Sequence, residues 1–146
     1  MARANENYLL EKKLYNIKSL YVSGLVEFLK VELSNPSIIL FGSYAKGEDT
    51  ERSDIDLYIE TPSKKDITLE KFEKKLKRNI QIFRHKNLFE IKNKDLVNNI
   101  INGIVLNGFV EVFFWSKEKV SNNKKIFRPK PKHFEMFNPP ARNCRA

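Results

Sequence analysis

At 146 residues, 41% hydrophobic and 31% charged, the chain is long enough for one domain with a real core and has the balance of a globular protein. No apolar run reaches the roughly 20 residues that span a bilayer, the opening MARANENYLLEKK lacks the apolar segment of a secretory signal, and the single cysteine, Cys144, excludes an internal disulfide and points to a reducing cytoplasm. The net charge of +9 is uneven: residues 1–116 hold 18 Lys and Arg against 16 Asp and Glu, and residues 117–146 hold 9 against 2, so the basic character belongs to the tail.

In chain order, Leu9, Leu10, Leu14, Ile17, Leu20, Tyr21, Leu25, Phe28 and Leu29 recur at steps of three and four. They predict one long helix from Asn7 to Leu33, weakened at Gly24 and ended by Ser34-Asn35-Pro36. Ser37–Phe41, SIILF, reads as a short strand buried on both faces. Gly42-Ser43 is a turn, with one helical turn expected over Ser43–Gly47. After the polar loop GEDTERS, Asp54–Glu60 predicts a second strand, with Asp54, Asp56, Tyr58 and Glu60 on one face and Ile55, Leu57 and Ile59 on the other. Thr68–Lys77 is an amphipathic helix that turns Leu69, Phe72 and Leu76 inward. Asn79–Phe83 is a third strand, Asp95–Asn107 a further helix ended by Gly108, and Phe109–Trp115 a final strand. The expected architecture is a mixed α/β (α+β) fold, a sheet of about four strands with packed helices. Its parts are an N-terminal helix (1–34), a core (35–116) and a basic, disordered tail (117–146) rich in lysine and holding four of the six prolines.

The chemistry concentrates in ILFGSYAKGEDTERSDIDLYIE, Ile39–Glu60. Two carboxylates two residues apart on a strand point the same way, with Cα atoms about 6–7 Å apart. Held bare, like charges that close are costly; a magnesium ion bound by oxygen ligands and shared with substrate phosphates removes the cost. The Gly-Ser turn supplies the other half, because glycine lets backbone N–H groups approach a phosphate and a helix starting there favours an anion. A strand ending in Gly42-Ser43 beside a strand starting with Asp54-x-Asp56 therefore suits a nucleoside triphosphate and its metal.

Gly42-Ser43-Tyr44-Ala45-Lys46-Gly47 and Ser53-Asp54-Ile55-Asp56-Leu57 resemble the paired signature of the minimal nucleotidyltransferases, prokaryotic members of the DNA polymerase β-like nucleotidyltransferase superfamily. RANENYLLEKKLYNIKSLYVSGLVEFL and NNIINGIVLNGFVEVF resemble the flanks of archaeal members, so the resemblance covers about residues 3–115. Some of those members carry a winged helix upstream; none fits before Arg3. The resemblance implies the polymerase β-like fold. It implies that Asp54 and Asp56 are catalytic and hold Mg2+, and that Gly42 and Ser43, with Lys46, bind the phosphates of ATP or another triphosphate. It further implies transfer of a nucleoside monophosphate, as AMP, to a hydroxyl, and a role as antitoxin to an all-helical HEPN toxin modified on tyrosine.

One position departs from the pattern. The family supplies a third carboxylate from the next strand, and register puts Gln81 there. A neutral amide cannot act as general base and is the poorer metal ligand. Two readings stay open: a nucleotidyltransferase that is slow or borrows Glu60, and a catalytically degenerate module that binds nucleotide, protein or nucleic acid.

Other residues keep two readings each. Ser43 could cap the following turn, and Lys46 could be a solvated lysine. Glu60 reads as a strand-end charge before a ligand, and Tyr58 as a base-stacking ring or a core residue. His85 reads as a loop residue and Trp115 as packing on the sheet. Cys144, His85 and His133 offer no zinc spacing. In the tail, lysines interleaved with Phe127, Phe134 and Phe137 could bind nucleic acid, against a solubilising end.

Overall fold

The computed structural model describes residues 5–112. The tail, Trp115 and the last three residues of the expected final strand lie outside them.

Helix α1 (Glu6–Ser23) begins at Asn5, whose side chain accepts from Asn7 N, and stops at Gly24. Helix α2 (Leu25–Glu32) follows at once. The expected single helix is thus two. Gly24 has φ +84° with open space around its Cα, so conformation and not crowding breaks the helix there. Ser34 and Asn35 both take positive φ ahead of Pro36, which turns the chain into β1 (Ser37–Phe41).

Next come α3 (Gly42–Lys46), β2 (Ile55–Glu60), α4 (Glu70–Leu76) and β3 (Ile80–His85). A 3₁₀ turn (Leu88–Glu90), α5 (Lys94–Ile101) and β4 (Ile104–Asn107) complete the described chain. The strands form one mixed sheet in the order β3-β2-β1-β4. β1 is antiparallel to both β2 and β4, and β2 is parallel to β3.

Both faces of the sheet are covered, which explains the unbroken apolar run of β1. One face buries Ile38, Leu40, Ile55, Leu57 and Ile59 against Leu20, Leu25, Leu29 and Leu33 of the first two helices and their flank and Phe72 of α4. The other buries Ile39, Phe41 and Tyr58 against Leu88 and Ile100. Among the described residues no helix is long and apolar enough to cross a membrane.

The C-terminal part corrects the expectation twice. The helix expected to run to Asn107 stops at Ile101, capped at Asn102, and Ile104–Asn107 is the fourth strand. Phe109–Val112 is not a strand. Ile104 and Val105 continued the helical spacing of α5, so periodicity alone could not separate them from it. Gly103 makes the change possible: a Cβ there would lie 2.5 Å from Leu40 O and 2.7 Å from Ile39 Cγ2. Without a side chain, the backbone crosses close over β1 and returns as an edge strand. His85, expected in a loop, ends β3, its ring stacked 6.1 Å from that of Tyr58.

Candidate functional site

The sheet brings the carboxylates to the turn. Phe41 pairs with Asp56 across β1 and β2, so the residue after Phe41 emerges beside the Asp56 side chain. That residue is Gly42, with φ +76°; a Cβ on it would lie 2.4 Å from Asp56 Oδ2. The carboxylate therefore occupies space that any side chain at residue 42 would fill, and the left-handed backbone independently favours glycine.

The turn runs straight into α3. Tyr44 and Ala45 of this helix are buried, while Ser43 is half-buried and Lys46 exposed. Its cap residue is Phe41, which offers no side-chain hydrogen bond. Among the described residues the N–H groups of the first turn thus have no side-chain cap. Ser43 lies inside that turn and not at its cap, so the capping reading of its hydroxyl does not hold. Lys46 follows Ser43 by three residues, on the same side of the helix.

Asp54 sits just ahead of β2 and is exposed. Asn79 holds it twice over: its side-chain amide donates to Asp54 Oδ1 at 3.3 Å, and its carbonyl accepts from Ile55 N at 2.9 Å. Asp56 is half-buried, and its carboxyl is pushed above the ordinary range by burial and then by the charge of Asp54. A carboxylate whose charge is disfavoured by burial and by a second carboxylate, beside a glycine turn, suits a cation shared with an anionic ligand. Among the described residues no group of three or more His, Cys, Asp or Glu is positioned for a metal; the pair Asp54 and Asp56 is what could hold one.

Gln81 pairs directly with Asp56 in the parallel ladder between β2 and β3, and its side chain is exposed. Glu60 is no replacement. It lies at the far end of β2, four residues or about 13 Å from Asp56, and accepts the Tyr58 hydroxyl at 3.1 Å. Tyr58 itself is fully buried in the second core, which removes it as a base-stacking ring.

Asp49, within the polar loop GEDTERS, is a structural residue that no motif points to. Its side chain is 1% exposed and ion-paired with Lys12 at 3.3 Å and Arg78 at 3.8 Å. Asn16 also donates to Asp49 Oδ1 at 2.7 Å and to Tyr44 O at 3.0 Å. This buried cluster ties α1 to the loop between α3 and β2, the two elements that carry the turn and the carboxylates. No spacing rule links Lys12, Asn16, Asp49 and Arg78, so the sequence carries no signal for it.

A family model described as nucleotidyltransferase domain matches residues 22–128. A 34-residue stretch is 56% identical to a Methanocaldococcus jannaschii protein provisionally named a protein adenylyltransferase; it covers 23% of this chain and 34% of that relative. The matched part is therefore about a third of the relative's length. No solved structure matches the chain.

Proposed function

Since the chain belongs to the nucleotidyltransferase-domain family, we propose that it transfers AMP from ATP to a hydroxyl acceptor, using Asp54 and Asp56 as ligands of Mg2+. The observation that carries this is the contact of Asp56 with Gly42, which joins the carboxylate pair to the turn. Gly42 and Ser43 receive the phosphates on uncapped N–H groups and the Ser43 hydroxyl, and Lys46 adds a cation at the rim. Bound there, Mg2+ would neutralise triphosphate charge.

The acceptor oxygen forms a bond to the α-phosphorus. The bond from that phosphorus to the oxygen bridging α and β breaks, and pyrophosphate leaves. The acceptor's proton goes to solvent, because the Gln81 amide cannot take it. The chain's own contribution is alignment of the three phosphates and compensation of their charge. The name of the archaeal relative supports a protein hydroxyl as acceptor, and a HEPN-type toxin partner in the cytoplasm fits that reading.

Gln81 beside Asp56 favours a second reading, a degenerate domain that binds nucleotide without transferring it. Calorimetry with ATP and Mg2+ tests what the two readings share. A Mg2+-dependent gain in ATP binding by the wild type that is lost in Asp54→Asn/Asp56→Asn supports the site; an equal Mg2+-dependent gain in both refutes it.

A further inference from the structure

A groove of about 340 Å3 opens between α1 and the C-terminal end of α4. Tyr15, Ser19, Tyr44, Lys75, Lys77 and Arg78 are among its lining residues, and no carboxylate is. Lys77 and Arg78 also line an adjoining cleft of about 410 Å3 that holds Asp54. Lys77 and Arg78 thus line both the groove and the cleft of Asp54, while the groove shares α3 with the candidate site through Tyr44 and takes its other walls from α1 and the end of α4.

Its lining is mixed. Tyr15 is 69% exposed, an aromatic ring with no core role, and Val22, two turns further along α1, adds apolar surface. Three cations line it as well. Lys75 is occupied, donating to Ser23 O at 3.2 Å, and Arg78 is shared with Asp49, although its buried Nε has no hydrogen-bond partner among the described residues. Lys77 forms no ion pair among the described residues, and it is held in the left-handed region at φ 54°, a conformation costly for a lysine. Ser19 and Tyr44 also line the groove; the Ser19 hydroxyl donates to Tyr15 O at 2.8 Å, and the Tyr44 hydroxyl is pushed up to about 12 by burial and then by Asp49, so it stays a donor at neutral pH.

An exposed flat ring, two hydroxyl side chains and several cations around a volume at the small-ligand end of the range fit a nucleotide unit. We propose that this groove binds one nucleotide, its base on Tyr15 and its phosphate on Lys77 and Arg78, outside the Asp54–Asp56 site. The unit can be a free nucleotide or part of a single strand. Binding here does not depend on the transfer reading.

The test uses the full chain in EDTA, which removes divalent metal from the carboxylate pair. Anisotropy of a fluorescein-labelled five-residue oligo(A) RNA, with unlabelled AMP as competitor, reads affinity for both sources. Tyr15→Ala is expected to weaken binding about tenfold, in the range of one lost stacking contact. Lys77→Asn keeps a residue tolerant of the left-handed backbone and is expected to lower the salt slope by about one. Asp54→Asn/Asp56→Asn should bind as the wild type does. If both groove variants affect AMP and RNA, a free nucleotide suffices; if they affect RNA alone, the ligand is a strand. Wild-type affinities in both groove variants, or an equal loss in Asp54→Asn/Asp56→Asn, would overturn the assignment. Circular dichroism confirms that the variants are folded.

Discussion

Gln81 stands directly beside Asp56 in the parallel ladder of β2 and β3, where a strand neighbour can share the surroundings of a carboxylate. The fold thus sets a neutral amide beside the carboxylate on which the proposed transfer relies.

Replacing Gln81 with Asp supplies an acid there. The side chain is exposed, so folding should be unaffected. Magnesium-dependent nucleotidyl transfer should rise roughly 100-fold, the order that a positioned base contributes. Steady-state label transfer measures it; an unchanged rate would show that residue 81 is not the limiting position.

Gly42→Ala should damage both stability and nucleotide binding. The new Cβ meets Asp56 Oδ2, and the φ of +76° adds strain of about 1–3 kcal/mol. Gly24→Ala is the control: its φ is also positive, but nothing lies within 4 Å of a Cβ there. Thermal melts should show both variants destabilised, while calorimetry with ATP should show only Gly42→Ala losing affinity.

Asp49→Ala leaves Lys12 and Arg78 without their buried partner. Removing one side of such a cluster costs about 3–5 kcal/mol. Urea denaturation should show a lower midpoint, and the loss should exceed that of the exposed pair Lys30–Glu27, where Glu27→Ala should cost no more than about 1 kcal/mol.

The Asp56 carboxyl sets a pH dependence of stability. Its folded pKa is raised, by burial first and Asp54 second, so the folded state holds its proton more tightly than the unfolded chain does. Stability contributed by this group is therefore fully present below the unfolded value of 3.8 and falls as pH rises from there through the folded value. Asp56→Asn removes the penalty. Without metal, that variant should melt above the wild type at pH 7, and the two should converge near pH 3. A wild type that is the more stable at pH 7 would contradict the stated cause of the shift.

Local chemistry made much of this legible. The alternation of Asp54, Ile55, Asp56 and Leu57 set the β2 faces correctly, and the Gly-Ser pair located the turn. What escaped has physical reasons. Gly24 breaks a helix whose apolar spacing runs on undisturbed across it. Ile104 and Val105 fit helix and strand alike, and only the close passage of Gly103 over Leu40 decides between them. Asn79 and Asp49 act on the site through contacts between residues distant in sequence, with Asp54 and with Lys12, and such pairs leave no periodic trace.

The most direct test follows label from ATP. The wild type, Gln81→Asp and Asp54→Asn/Asp56→Asn are each incubated with Mg2+, the protein encoded beside this one, and ATP labelled on either the α- or the γ-phosphate. Nucleotidyl transfer predicts α-label, and no γ-label, on an acceptor with the wild type, more with Gln81→Asp, and none with the double variant. No α-label from either the wild type or Gln81→Asp would contradict it.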